Sequence, residues 1–138
     1  MGKITTDIMI INRLDQGMAE RGVLTADEIR SVSLKNVLVD TGATTLCLPA
    51  NAIAKLGLKL LKIVPITTAT GYGEARIFED AKISVMGREG TFECIEVPED
   101  ADPLLGVVPL EMLGIELDLK NHRLILLPLE PRASYLRV

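Results

Sequence analysis

A chain of 138 residues that is 48% apolar but only 3% aromatic has the length of one domain and a core of Leu, Ile and Val without tryptophan. Its formal charge of −4, spread over mixed acids and bases, argues against a nucleic-acid surface. Two cysteines are too few for a secreted disulfide framework, and no apolar run nears the roughly 18 residues of a membrane helix.

Taken in chain order, the sequence predicts mostly short strands. Residues 4–12 alternate weakly and predict a first strand, followed by a polar loop through Gly22. Thr25-Ala26-Asp27-Glu28 has the spacing of a capping box and predicts one helical turn. A strand over 31–40 follows, then a short helix over 49–56 with Pro near its start and Gly57 as its stop. Two hairpins are expected next: 61–70 with 74–79, joined by Gly71-Tyr72-Gly73, and 81–86 with 91–97, joined by residues 87–90. An acidic loop (Glu99, Asp100, Asp102) leads into Leu104-Leu105-Gly106, a short helix over 109–113 that stops at Gly114, and a last hairpin of 115–119 with 123–127. The tail after Pro128 is interrupted by proline and is expected to be mobile unless a partner chain orders it. Many short, closely spaced strands favour a small all-β barrel or sandwich in a single domain.

The most informative stretch is Val37-Leu38-Val39-Asp40-Thr41-Gly42-Ala43. A run of β-branched and apolar residues reads as a strand covered on both faces, and Thr-Gly directly after it turns the chain sharply. The Asp40 carboxylate then sits at the tip of a rigid strand, where a site residue is well held. The bland alternative is an Asp that merely bonds nearby amides to form the turn. The motif occurs once, so a site built from paired carboxylates needs a second chain. Other chemistries have less support. Cys47 and Cys94 lie among apolar neighbours and read as reduced, half-buried core thiols. His122 falls in a polar turn, and nothing orients a Cys47–His122 pair. One His and no clustered Cys give no metal site, and Gly71-Tyr72-Gly73 lacks the helix and Lys of a phosphate loop. No cofactor is expected. Charges at Lys3, Asp7, Arg13 and Asp15 argue against a signal peptide, so the expected location is the cytoplasm, away from membranes.

These residues resemble the retropepsin-like aspartic proteases, single-domain relatives of pepsin, and more closely the small prokaryotic proteins known as clan AA aspartic proteases. The resemblance rests on residues 37–43, on Leu104-Leu105-Gly106 with its short helix, and on a hairpin over 68–78 lying between them. It covers most of residues 24–127. It implies a closed barrel-like domain that forms a homodimer and hydrolyses polypeptides, with Asp40 of each subunit sharing one proton and activating water. It further implies that Gly42 lets the backbone bond the carboxylates and that the Thr41 hydroxyls cross-link the two loops. Leu104, Leu105 and Gly106 support the loop, while Gly71, Tyr72 and Gly73 form a flap over substrate. Ala43 lacks a hydroxyl to donate to the outer carboxylate oxygen, so activity is expected at mildly acidic to near-neutral pH. Glu74 adds charge where retroviral flaps are mostly apolar and glycine. From another functional class comes the alternative of a catalytically silent dimeric module that holds an extended peptide by strand pairing.

Overall fold

The computed structural model describes residues 3–128, so the expected behaviour of the tail lies almost wholly outside the described residues. The fold is mostly β, as anticipated. Strand β1 (Thr5–Asn12) alternates Ile8, Ile10 and Asn12 inward with exposed Thr5, Met9 and partners, and it pairs antiparallel with β2 (Ser31–Val39). Next come β3 (Leu46–Pro49), helix α2 (Ala50–Leu56), β4 (Lys59–Thr68), β5 (Gly71–Val85) and β6 (Arg88–Val97). Strand β7 (Leu104–Leu105), helix α3 (Val107–Leu113), and strands β8 (Ile115–Asp118) and β9 (Arg123–Leu126) complete the described chain, with helix α1 (Arg13–Glu20) lying between β1 and β2.

The order β1-β2-β7-β3-β6-β5-β4, with a further pairing of β1 to β5, closes six of these strands into a ring and leaves β4 outside it. Inside the ring lie Ile10, Val37, Leu46, Leu48, Ile83 and Leu105, all fully buried. Helices α2 and α3 plug it with Leu56 and Leu113. Both helices stop at a glycine in the left-handed region, Gly57 at φ 64° and Gly114 at φ 66°.

Several expectations are corrected. The stretch expected as polar loop through Gly22 is largely α1. It is short and mostly polar, with Leu14 and Met18 exposed and Gly17 in its middle. The missed signal was its cap: the Asn12 side chain accepts from Asp15 N at 3.0 Å. The predicted strands 74–79 and 81–86 are one strand, β5. What looked like a break at Asp80 is a bulge, with φ 65° at Asp80 and a register shift between Phe78 and Ala81. The joint between β5 and β6 is the two-residue turn Met86-Gly87, both at positive φ, so β6 begins at Arg88, three residues ahead of the predicted start. Helix α3 begins at Val107, two residues before the expected 109. The two thiols are free, as expected, but buried outright instead of half-buried. Burial pushes the Cys94 thiol up to about 12.

One polar network joins α1, β2 and α2. Asn12 Nδ2 donates to Leu56 O at 2.9 Å, capping the end of α2. Asp15 is buried and accepts from the Arg30 backbone N at 3.0 Å and from its guanidinium at 2.8 and 3.0 Å. These Arg30 hydrogen bonds hold the Asp15 carboxyl below its ordinary value, against the opposing effect of burial.

Candidate active site

Asp40 follows the last residue of β2, whose apolar residues Val37 and Val39 are anchored in the core. Its backbone N donates to Leu105 O at 3.0 Å, so the parallel pairing of β2 with β7 fixes the point at which the chain leaves the sheet. The loop then folds back on itself. Gly42 N donates to Asp40 Oδ1 at 2.8 Å, and Ala43 N donates to Asp40 O at 3.1 Å. A Cβ at Gly42 would stand 3.1 Å from that same carboxylate oxygen, so glycine gives the backbone its close approach. Asp40 as a residue is half-buried, whereas Thr41 and Gly42 at the loop's tip are exposed.

Leu104, Leu105 and Gly106 lie against this loop. Leu104 pairs with both Leu38 and Cys47, and Leu105 is fully buried beside Val39. Gly106 is the tightest point. A Cβ there would overlap Thr45 O and stand 2.6 Å from Ala43 O and 2.7 Å from Thr45 N. Directly after it, Val107 N donates to Ala43 O and Val108 N to Thr44 O, both at 2.9 Å. The N-terminus of α3 is thereby tied to the loop that carries Asp40.

The hairpin of β4 and β5 is in the expected region of the chain, with its turn shifted. Thr68 pairs with Gly71, so the bend is at Ala69-Thr70, and Gly71, Tyr72 and Gly73 are the first residues of β5. Glycine marks turns, which is why these residues suggest the joint; here Gly71 (φ 128°) opens the strand instead. Tyr72 is 94% exposed and sits opposite Thr67.

A feature that sequence reasoning missed emerges from register. Leu38, Leu104, Cys47, Ile95 and Ile77 are successive neighbours across β2, β7, β3, β6 and β5. Paired residues share a sheet face, so these form an apolar row running from beside Asp40 to the base of the β4–β5 hairpin. Burial, together with the negative charge of Asp40, pushes the Cys47 thiol up. His122 lies in the β8–β9 turn at φ 59°, exposed, apart from this arrangement. Among the described residues no group of three or more His, Cys, Asp or Glu is placed to hold a metal ion, and no helix is long and apolar enough to cross a membrane.

Comparison with known proteins agrees with this geometry. Residues 28–112, more than half of the chain, match the family model described as gag-polyprotein putative aspartyl protease. Among solved structures the chain is similar to "EIAV protease complexed with the inhibitor HBY-793", at TM-score 0.56 and 22% identity, over 86% of this chain and 94% of that one. A search of curated protein sequences found no match. The structural likeness shows a shared fold, and the family match spans the Asp40 loop, the β4–β5 hairpin and Leu104-Leu105-Gly106: the chain belongs to the retropepsin-like aspartyl proteases.

Proposed function

We propose that this chain is an aspartic endopeptidase whose site is completed by a second copy, with Asp40 from each subunit. The observation that carries the reading is the Asp40 loop itself. Its carboxylate is held by Gly42 N at 2.8 Å on a loop braced by Gly106 and α3, while the tip remains exposed for a partner. Two carboxylates brought together across a two-fold axis share one proton, because like charges at close range resist ionising together. The ionised one takes a proton from water as its oxygen attacks the peptide carbonyl carbon. The protonated one gives its proton to the amide nitrogen as the C–N bond breaks, yielding a carboxylic acid and an amine. Thr41 of the two exposed loop tips hydrogen-bonds across the axis and fixes the pair. The β4–β5 hairpin, with Gly71, Tyr72 and Gly73 near its end, closes over the substrate.

The apolar row from Leu38 to Ile77 favours extended substrates with aliphatic or aromatic side chains next to the cleaved bond. Because Ala43 has no hydroxyl to donate toward the carboxylate pair, we expect activity at mildly acidic to near-neutral pH. The test is digestion of a diverse peptide mixture at pH 4 to 7, read by mass spectrometry, with wild type and Asp40→Asn purified identically. Specific cleavages confined to the wild type, at apolar positions, are expected. Silence from a folded wild-type dimer overturns the endopeptidase and leaves a peptide-binding module.

A further inference from the structure

We infer that Asp7 is a positioning residue for the Asp40 loop: its carboxylate pins a β-bulge at Lys35-Asn36 that turns Asp40 out of the core. The effect on cleavage rests on the endopeptidase reading above; the bulge itself rests on register and burial. Along β1 the even positions face the core throughout, with Ile8, Ile10 and Asn12 buried and Ile4 just before them. Strand β2 does not keep one phase. Val32 is buried and Leu34 packs against the core, whereas beyond them it is Val37 and Val39 that are buried. The switch falls where the pairing slips. Thr6 pairs with Val37 and Ile8 with Leu34, which leaves Lys35 and Asn36 together opposite Asp7 alone.

Side chains alternate along a strand, so one extra residue moves everything after it to the opposite face. Had the phase of Val32 and Leu34 continued, Leu38 and Asp40 would point into the core and Val37 and Val39 away from it. An ionised carboxylate has no tenable place among those apolar side chains. With the bulge, Val37 and Val39 fill the core instead. Leu38 then heads the apolar row, and alternation carries Asp40 to the same side.

The bulge needs a device to hold it. Asn36 has φ 56°, in the left-handed region that asparagine tolerates but only glycine adopts freely. Its backbone N donates to Asp7 Oδ1 at 3.0 Å, while Lys35 Nζ stands 3.5 Å from Asp7 Oδ2. The Asn36 amide, helped by Lys35, holds the Asp7 carboxyl below its ordinary value. The Lys35 pair is exposed on both sides and adds little, so the amide bond is the staple. Only Val37, Leu38 and Val39 separate Asn36 from Asp40, and they are set in the sheet and core. A change in the turn of the bulge is therefore passed on to the loop.

The test is steady-state cleavage of one peptide beside amide NMR of the full chain, in which the Gly42 signal reports its bond to Asp40 Oδ1. Asp7→Ala should lower kcat by about tenfold with KM within about twofold, as a misplaced catalytic group does, and should move the Gly42 signal. Asp7→Asn keeps an acceptor for the Asn36 amide and should recover most of the rate. Adding Asn36→Gly to Asp7→Ala should restore both readouts, since glycine adopts the positive φ unaided. A residue that only stabilised the fold would instead lower the denaturation midpoint and leave kcat of the folded protein unchanged. Asn36→Ala opposes the positive φ with Asp7 in place, so it approaches the same bulge from β2 and should move the Gly42 signal too. Wild-type kcat in Asp7→Ala, an unmoved Gly42 signal, or a loss that Asn36→Gly does not restore overturns the inference. If the wild type cleaves nothing, the endopeptidase reading fails, and the Gly42 signal decides the role of the bulge by itself.

Discussion

At Gly106 there is no room for a side chain, because the backbone of the Asp40 loop passes directly over its Cα. Gly106→Ala must push away Thr45 and Ala43, and with them the loop whose amide holds Asp40. We expect a stability loss of about 1–3 kcal/mol by chemical denaturation, as for overpacking in a core. Cleavage should fall at least about a hundredfold even where the variant is fully folded. Full activity in a folded Gly106→Ala would show that the loop is positioned by something else. Asp15 supplies a prediction on pH. Its folded-state value is lowered, so its ion pair contributes stability above the ordinary carboxylate value and loses it as pH falls through the lowered one. Asp15→Asn should cost about 2 kcal/mol at neutral pH. That is less than for a fully buried pair, because the Arg30 side chain is 51% exposed and stays hydrated without its partner. The variant's stability should also change less than the wild type's below about pH 4, as urea midpoints across pH 2 to 7 would show.

Among the elements, those with a strong local signal were legible in the sequence. The strand ending in Asp40, the helix stopped by Gly57 and Leu104-Leu105-Gly106 were expected where they occur, because burial or a left-handed glycine dictates each, and the last hairpin was legible from two apolar runs flanking a polar turn. What escaped were features set by neighbours distant in sequence. Helix α1 is short and mostly polar and is held by its Asn12 cap and the Asp15–Arg30 pair. The bulge at Asp80 exists because β5 must serve β4 at one end and β1 and β6 at the other. The apolar row through Cys47 depends on strand order, which no local pattern encodes. Gly57 shows a local signal with a distant consequence. Besides its positive φ, a Cβ there would overlap Nη1 and Cζ of Arg30. Gly57→Ala should therefore cost more than the roughly 1 kcal/mol of an ordinary left-handed cap and should release Arg30 from Asp15. In a double-mutant cycle with Asp15→Asn, the two losses should be less than additive; simple additivity would mean that Arg30 finds another way past the methyl group.

For the molecule as a whole, a closed ring of strands carries one Asp-Thr-Gly loop on its surface, backed by a filled core and facing outward at its tip. In the proposed function, two such loops together supply the carboxylate pair. The proposed dimer makes assembly and catalysis a single event, so specific activity should fall on dilution below the dimer dissociation constant. The most direct test is to hold the wild-type chain fixed, titrate in Asp40→Asn under conditions that allow exchange of subunits, and follow cleavage of one peptide. If each site requires Asp40 from both chains, mixed dimers are inactive: activity should drop to about half at equal amounts and approach zero in excess variant. Activity that stays constant as exchange is confirmed would contradict the shared site and place all of the chemistry within one subunit.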